Sequence, residues 1–183
     1  MKLDFAGKSV LITGGTSGIG LAAARMFLAA GSVVALTGRD KDRGREALSN
    51  LSDLSGAAFF INGDVTDVAA CERIVREAVE LFGGRLDVLV NCAGEYLEKP
   101  IEETTESEFD RIMAVNAKGT YFVSRAAVPS LKHSRGVVVN VSSDAGLTGN
   151  INCTAYCAAK GAVTLFTKAL ALELAPHGIR VNC

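Results

Sequence analysis

The stretch SVLITGGTSGIG at residues 9–20 decides the fold. A short apolar strand runs into a glycine-rich turn, and a pattern typical of a helix follows. Glycines are needed where a chain turns tightly, where a pyrophosphate approaches bare backbone and where a helix packs close to a strand. The N-terminus of that helix offers free N–H groups and a partial positive charge to a phosphate. The stretch therefore predicts a strand, a phosphate-binding loop and a helix, with a tight turn that binds no ligand as the alternative.

Apolar runs of strand type alternate with longer helical patterns along the whole chain. This alternation is typical of βαβ units, and runs such as VVV at residues 137–139 favour strands covered on both faces. It predicts a three-layer α/β fold with a doubly wound parallel sheet of six strands, in one domain over residues 1–183. The predicted strands are Ser9–Thr13, Val33–Thr37, Ala57–Asn62, Leu86–Asn91, Gly136–Val141 and Ile179–Asn182. The predicted helices are Ile19–Ala30, Lys41–Asn50, Val68–Phe82, Ser107–Lys132 and Tyr156–His177.

Composition narrows the class of partner. The 183 residues carry a formal net charge of −1, so no positive field attracts nucleic acid or anionic lipid, and neither is expected as a partner. The longest uncharged stretch, Ser9–Ala24, holds four glycines and is shorter than the roughly 20 apolar residues that span a bilayer. Residues 1–4 mix both charges and precede no apolar core, so no signal peptide is expected and the predicted location is cytoplasmic.

Five cysteines are present, at positions 71, 92, 153, 157 and 183. Their number is odd and no two form a CxxC pair, which argues against a disulfide framework and against a zinc site. We expect reduced thiols and no metal.

Six motifs in order along the chain resemble those of the short-chain dehydrogenase/reductase family. The first is the glycine spacing G-x-x-x-G-x-G at residues 14–20, with Thr13 ahead of it. The others are NGDV at 62–65, NCAG at 91–94, Asn116 within VNAKG at 115–119, SS at 142–143, and Tyr156-x-x-x-Lys160. The resemblance implies a Rossmann-type fold and a nicotinamide dinucleotide cofactor.

The resemblance also implies which residues contact the cofactor. Asp64 is expected to hydrogen-bond the adenine, and residues 91–94 to line the adenosine ribose, although support of the central sheet is an equal alternative for Asn91. Cys92 stands where the family usually carries a second Asn, and a small residue still fits there. The expected contacts are Gly14, Thr16, Ser17, Gly18, Ile19, Gly20, Arg39, Asp64, Val65, Asn91, Ala93, Gly94, Tyr156 and Lys160.

The residues after the second predicted strand indicate which cofactor is preferred. An acidic side chain there would bind the ribose 2′-hydroxyl of NAD and repel the 2′-phosphate of NADP. Gly38 stands where NAD-preferring relatives carry the acid, and the planar guanidinium of Arg39 suits a phosphate. We expect NADP rather than NAD. Two alternatives stay open, namely that Arg39 is merely solvated and that Asp40 weakens phosphate binding.

Tyr156 and Lys160 lie four residues apart, on one face of a predicted helix. Reduction of a carbonyl by hydride leaves an alkoxide that needs a proton, and the ordinary tyrosine pKa of about 10 matches neutral pH poorly. A lysine ammonium nearby favours the phenolate and lowers that pKa. Tyr156 is therefore expected to be the general acid in reduction and the general base in oxidation.

Two further residues complete the expected catalytic set. Ser143 follows the fifth predicted strand at its carboxyl end, where ligands bind in open α/β sheets, and its hydroxyl is expected to hold the substrate oxygen beside Tyr156. Ser142 is the competing serine, and the family spacing favours Ser143. Asn116 matches the family residue that holds a water contacting the lysine, and an Asn within a helix suggests a partner. The expected tetrad is Asn116, Ser143, Tyr156 and Lys160.

The expected function is NADP(H)-dependent oxidoreduction of a small carbonyl or secondary alcohol. Members of the family continue beyond the position of Cys183 into a Pro-Gly turn and a substrate-covering segment, so substrate identity cannot be read from these residues. The alternative is a truncated, catalytically weak chain that binds cofactor or pairs with a full-length relative. We expect a homodimer or tetramer through helices 107–132 and 156–177, whose apolar stripes permit that packing.

Overall fold

The computed structural model describes residues 4–183. The strands are β1 Ser9–Thr13, β2 Val33–Gly38, β3 Ala58–Asn62, β4 Val88–Asn91, β5 Val137–Asn140 and β6 Arg180–Asn182. They form one parallel sheet in the order β3-β2-β1-β4-β5-β6. The predicted doubly wound sheet of six strands is therefore confirmed. The sequence argument against a signal peptide rests partly on residues 1–3, which lie outside the described residues.

Six α-helices connect and cover the strands. They are α1 Gly18–Ala29, α2 Lys41–Ser49, α3 Val68–Leu81, α4 Glu106–Met113, α5 Gly119–Ser134 and α6 Thr154–Leu174, and a 3₁₀ turn, Ala175–His177, follows α6. Three of the six begin where a polar side chain accepts a hydrogen bond from a free N–H group of the first turn. Asp40 caps α2, Asp67 caps α3, and Thr105 with Glu108 forms a capping box at α4.

The predicted helix 107–132 is wrong in one respect, because it is not a continuous α-helix. A π-helical segment, Ala114–Lys118, separates α4 from α5, and the N–H of Gly119 donates to the carbonyl of Ala114 five residues earlier. This segment contains Asn116. The remaining boundary differences are one to three residues at strand and helix ends, where turns take over from the regular hydrogen-bond ladder.

Two apolar layers cover the sheet. Successive residues of a strand point to opposite faces, so Val10 and Ile12 pack with Leu28 of α1 on one face, whereas Leu11 packs with Ile74 of α3 on the other. All five side chains are fully buried. Since both faces are covered, every strand can be apolar throughout, which is why the strand signals in the sequence are continuous runs.

A charged network joins β1 and β4 at their amino ends. Asp87, just before β4, accepts hydrogen bonds from the backbone N–H of Ser9 at 3.2 Å and from Nε of Arg85 at 2.9 Å. The Arg85 guanidinium also donates to Asp87 Oδ1 at 2.6 Å. Asp87 is only 5% exposed, and Lys8 adds an ion pair at 3.5 Å. These contacts fix the amino ends of the two central strands against each other.

The strand order changes direction between β1 and β4, although all strands are parallel. From β1 the chain proceeds outward to β2 and β3, then returns to β4 and continues outward on the other side to β5 and β6. The loops that leave β1 and β4 therefore diverge at the carboxyl end and open a crevice between them. Within residues 4–183 no helix is long and apolar enough to cross a membrane, and no three His, Cys, Asp or Glu side chains converge as metal ligands.

Candidate active site

Two connected clefts occupy the crevice at the carboxyl end of the sheet. The first encloses about 440 Å³ and is lined by the ends of β2 and β3, and the second encloses about 470 Å³ and is lined by the loops after β4 and β5 and by α6. Both share Gly14, Thr16, Ser17 and Gly94. The glycine loop therefore lies in the middle of one elongated groove, as an extended dinucleotide requires.

The glycine loop fits tightly at two of its positions. Gly14 has φ +63°, and a Cβ there would lie 2.7 Å from the Cα of Ala93 in the loop after β4. A Cβ on Gly20 would overlap the carbonyl oxygen of Gly14. Each glycine thus permits a close backbone approach that no other residue allows. Gly14 lets the glycine loop approach the loop after β4, and Gly20 lets α1 approach Gly14.

The first turn of α1 has no side-chain cap. Ser17 occupies the N-cap position, yet its hydroxyl makes no capping hydrogen bond, and no acidic residue lies in the first turn. The first N–H groups of this helix therefore face the groove without a side-chain acceptor, next to Gly18, where an added Cβ would meet open space. An anionic phosphate is the ligand that this arrangement accommodates.

The first cleft contains the groups expected to distinguish the two cofactors. Gly38, Arg39 and Asp64 line it as predicted, and Arg39 lies 4.0 Å from the Asp64 carboxylate. Arg43, in the first turn of α2, lines the same cleft. Asp40 accepts hydrogen bonds from the N–H groups of the first turn of α2, and these bonds lower its pKa. Its carboxylate therefore already caps the N-terminus of α2.

Thr13 ties the loops after β1 and β4 together. Its hydroxyl oxygen accepts hydrogen bonds from the backbone N–H groups of Cys92 and Ala93, both at 3.1 Å. Thr13 is only 2% exposed, so it binds protein rather than ligand. These two bonds place the Ala93–Gly94 backbone beside Gly14 and fix the width of the groove at its centre.

Lys160 and Tyr156 lie in the second cleft, one turn apart on α6. The ammonium of Lys160 is 5.8 Å from the centroid of the Tyr156 ring and donates to the Val141 carbonyl at 2.8 Å. Burial lowers the pKa of Lys160, which is 5% exposed. Within residues 4–183 the Val141 carbonyl is its sole hydrogen-bond partner, so two donors of a buried ammonium remain for a ligand.

The two candidate serines have different partners. The Ser142 hydroxyl faces α6, 2.7 Å from the Thr164 hydroxyl and 3.2 Å from the Lys160 carbonyl. The Ser143 hydroxyl donates to Asp144 Oδ1 at 2.8 Å and accepts from the Ala145 N–H. Both serines line the second cleft. A donation from Ser143 to a substrate oxygen would have to replace its bond to Asp144.

Asn116 lies behind the groove rather than in it. It is 1% exposed, and its side-chain N–H₂ donates to the carbonyls of Glu95 at 2.9 Å and Ile112 at 3.0 Å. Its Oδ1 accepts from the N–H of Glu95 at 3.3 Å and would lie 2.9 Å from a Cβ on Gly94. The partner that a mid-helix Asn requires is therefore the loop after β4. Asn116 holds this loop through both the N–H and the carbonyl of Glu95.

Asn91 lies in the core and is not brought into the groove. Its side-chain N–H₂ donates to the Ser124 hydroxyl at 2.9 Å and to Asn140 Oδ1 at 2.8 Å, and Asn140 continues the chain to Thr167. These bonds join β4, β5, α5 and α6. The geometry favours the sheet-supporting alternative for Asn91, while the other expected cofactor residues all line one of the two clefts.

Sequence reasoning missed two residues of the site. Arg43 was signalled by its place in the first turn of the helix that follows β2, close in sequence to Arg39. Tyr96 lines the second cleft, and its ring stands edge-on to that of Tyr156, with centroids 5.0 Å apart and an interplanar angle of 81°. An aromatic residue two positions after Gly94, in a loop that leaves a strand, was the signal available for it.

Known proteins are similar to this chain in sequence and in fold. A family model described as short chain dehydrogenase matches residues 8–183. An oxidoreductase of Thermotoga maritima is 46% identical over 98% of this chain and 71% of its own length. The L-fucose dehydrogenase of Mus musculus is 43% identical over 98% of this chain and 64% of its own length.

A solved structure has the same fold. The dehydrogenase/reductase of Sinorhizobium meliloti 1021 superimposes with a TM-score of 0.93 at 37% identity, over 99% of this chain and 72% of that one. The chain thus spans roughly two thirds to three quarters of the relatives that it matches. Its glycine loop, its Tyr156/Lys160 pair and these matches agree, and the chain belongs to the short-chain dehydrogenase family.

Proposed function

We propose that residues 1–183 act as one dinucleotide-binding unit that also carries the reactive side chains, and that the protein is an NADP(H)-dependent oxidoreductase of carbonyls and secondary alcohols. The observation that carries the proposal is the position of Tyr156 and Lys160 in the same groove as the uncapped first turn of α1. The groove fits a dinucleotide because it offers bare N–H groups at its centre, arginines at one end and a buried ammonium at the other.

The proposed chemistry is a proton transfer at Tyr156 coupled to a hydride transfer. When bound, the nicotinamide supplies or accepts the hydride. In reduction the Tyr156 hydroxyl gives its proton to the substrate oxygen, and in oxidation the phenolate takes the hydroxyl proton of the alcohol. The positive charge of the Lys160 ammonium lies 5.8 Å from the centroid of the Tyr156 ring. Ser143 holds the substrate oxygen once its hydroxyl no longer donates to Asp144. Asn116 positions the loop after β4 and, as the family resemblance implies, contributes to proton relay.

Replacement of Tyr156 by Phe tests the proposal. It removes the exchangeable proton and keeps the ring, so we expect kcat to fall by about 100-fold or more in a screen of ketones and secondary alcohols with NADPH or NADP⁺. Tyr121→Phe is the matched control, because Tyr121 lies on α5 outside both clefts. Equal turnover in wild type and Tyr156→Phe would disprove the proposed role. Tight cofactor binding without wild-type turnover would support the cofactor-binding alternative.

The preference for NADP(H) is proposed from the first cleft. Two guanidinium groups, of Arg39 and Arg43, line it, and Gly38 places no carboxylate at the end of β2. Charge-assisted hydrogen bonds of this kind contribute about 1.5–3 kcal/mol each, so Arg39→Gln should weaken NADPH binding by about tenfold or more and leave NADH unchanged. Arg45→Gln is the control, since Arg45 pairs with Asp42 on the same helix and lines neither cleft. A wild-type preference for NADH in calorimetry would overturn this assignment.

Self-association is proposed through the predicted helices 107–132 and 156–177. In the structure a groove of about 300 Å³ runs between α5 and α6, and it is lined by Tyr121, Phe122 and Phe166 among others. Leu165 and Leu172 of α6 are 68% and 80% exposed. Sedimentation of Leu165→Glu should show a smaller species than wild type if this face joins two copies. The predicted cytoplasmic location stays a prediction.

A further inference from the structure

Tyr96 is the residue of the second cleft that the proposed chemistry leaves without a task. It follows β4 by five residues and belongs to the loop that Asn116 holds at Glu95. Its ring is 58% exposed, and a side chain that exposed ordinarily moves between rotamers. The Tyr96 hydroxyl and the Tyr96 ring nevertheless both make contacts that restrain the side chain.

The Tyr96 hydroxyl is held between two groups. It donates to Glu98 Oε2 at 2.8 Å and lies 3.2 Å from the Cys153 sulfur. A phenol hydroxyl can donate one hydrogen bond. Because the Tyr96 hydroxyl donates to Glu98, the Cys153 thiol is the donor of the second bond. Cys153 is the residue immediately before α6, the helix that carries Tyr156. The chain of bonds thus connects the loop after β4 to the start of α6.

Tyr96 is unsuited to exchange a proton with a substrate. Its hydrogen bonds with Cys153 and Glu98 raise its pKa above the ordinary value, because ionisation would place a second negative charge beside the Glu98 carboxylate. Two phenols line the second cleft, and this one is kept neutral. What it offers is a fixed ring.

The Tyr156 ring depends on packing for its orientation. Within residues 4–183 no protein group hydrogen-bonds the Tyr156 hydroxyl, and the rings of Tyr96 and Tyr156 meet edge-to-face with centroids 5.0 Å apart. Such perpendicular pairs stabilise the relative orientation of the two rings beyond what burial alone contributes. A general acid must be held close to the productive geometry, and small displacements of a catalytic group reduce the rate.

We propose that Tyr96 is a positioning residue for Tyr156: its ring, fixed through Cys153 and Glu98, holds the reactive phenol in the orientation used for proton transfer. This inference rests on the proposed function. The ring should therefore matter more than the hydroxyl, and the effect should appear in the proton-transfer step rather than in cofactor binding.

The test compares three variants. Tyr96→Leu removes the ring and should lower kcat about three- to tenfold with the cofactor Kd unchanged. Tyr96→Phe keeps the ring but loses the bonds to Cys153 and Glu98, so its kcat should fall, but by less than that of Tyr96→Leu. Phe27→Leu is the control, because Phe27 forms a perpendicular pair with Phe5 of the same geometry, at 5.1 Å and 90°, outside both clefts. Its kcat should equal that of wild type.

A measurement without turnover gives a second readout. The chain has three tyrosines, so ¹³Cζ-labelled tyrosine should give three NMR signals, and Tyr156→Phe identifies the one that belongs to Tyr156. That signal should shift in Tyr96→Leu and stay in place in Phe27→Leu. An unchanged Tyr156 signal, an unchanged kcat in Tyr96→Leu, or an equal loss in Tyr96→Phe would each overturn the inference. Failure of the proposed function looks different, because turnover would then be indifferent to Tyr156 itself.

Discussion

The two ends of the β1–β4 pair are built in opposite ways. At the amino ends, buried Asp87 accepts hydrogen bonds from Ser9 and Arg85 and joins the two strands. At the carboxyl ends, Thr13 holds the backbone of the β4 loop, and beyond it the glycine loop and the first turn of α1 keep N–H groups without side-chain acceptors. One end satisfies its own polar groups, while the other keeps them for a ligand.

This difference shows where the molecule places stability and where it places binding. Polar groups left unpaired cost free energy, and α2, α3 and α4 avoid that cost at their N-termini with side-chain caps. Among α1 to α4, α1 lacks such a cap, and its first turn lines the groove; α5 and α6 also begin without one. Substitutions at the amino end should therefore change stability without changing the site, and substitutions at the carboxyl end should change binding first.

The largest effect is expected at the carboxyl end, from Gly20→Ala. The added methyl group would overlap the Gly14 carbonyl oxygen, which is backbone and cannot rotate away, so α1 or the loop must shift. Overpacking of this kind costs about 3 kcal/mol at its upper end, and we expect most of it to appear as weaker binding of NADPH in calorimetry.

The control for that variant is Gly161→Ala in α6. Its Cβ would approach no atom closer than the Gly146 carbonyl oxygen at 4.0 Å, so Ala should raise the free energy of unfolding by about 0.5–1 kcal/mol through helix propensity. Equal NADPH affinity in wild type and Gly20→Ala would show that the close approach of Gly20 to Gly14 does not shape the binding loop.

The next effect is expected at the amino end, from Asp87→Asn. Burial alone would raise the pKa of Asp87, but hydrogen bonds from Arg85 and Ser9 outweigh it and hold the pKa at about 2. Compared with the ordinary aspartate value, this corresponds to about 2 kcal/mol of stability at pH 7, which urea denaturation of the variant should lose. NADPH binding should not change. Asp53→Asn, which removes an exposed ion pair with Arg25, should cost less than about 0.5 kcal/mol.

The smallest effect is the pH dependence of the same network. Because the folded-state pKa of Asp87 lies below the unfolded-state value, its stabilisation is complete above the unfolded pKa and is lost as the pH falls towards 2. Wild type should lose about 1 kcal/mol more than Asp87→Asn between pH 5 and pH 3. Parallel stability curves for the two proteins would contradict the assignment of Asp87 as the charged centre of this end.

The sequence predicted the layers and the groove because both follow from local patterns. Continuous apolar runs marked the strands, and the spacing of glycines marked the turn that Gly14 and Gly20 make necessary. The Tyr156/Lys160 pair was predictable because four residues of helix separate the two side chains by a single turn. The predicted roles of these two residues, of Ser143 and of Asn116 stay predictions.

Contacts between distant segments could not be predicted. Asn91 bonds to Asn140, 49 residues away, and Tyr96 meets Cys153 at a separation of 57, and no periodicity encodes either pairing. The π-helical segment was likewise hidden, because its residues continue the helical pattern on both sides. Within it, the Asn116 side chain bonds to the backbone of Glu95, which is again distant in sequence.

The π-helical segment also sets the rotation of α4 relative to α5. A wide turn accommodates one residue more than an α-helix of the same rise, so its presence is equivalent to a single-residue insertion between α4 and α5. Each residue of an α-helix advances by about 100° around the axis. Deleting one position there would rotate α4 relative to α5 by about this angle and turn the loop that Asn116 holds away from the groove.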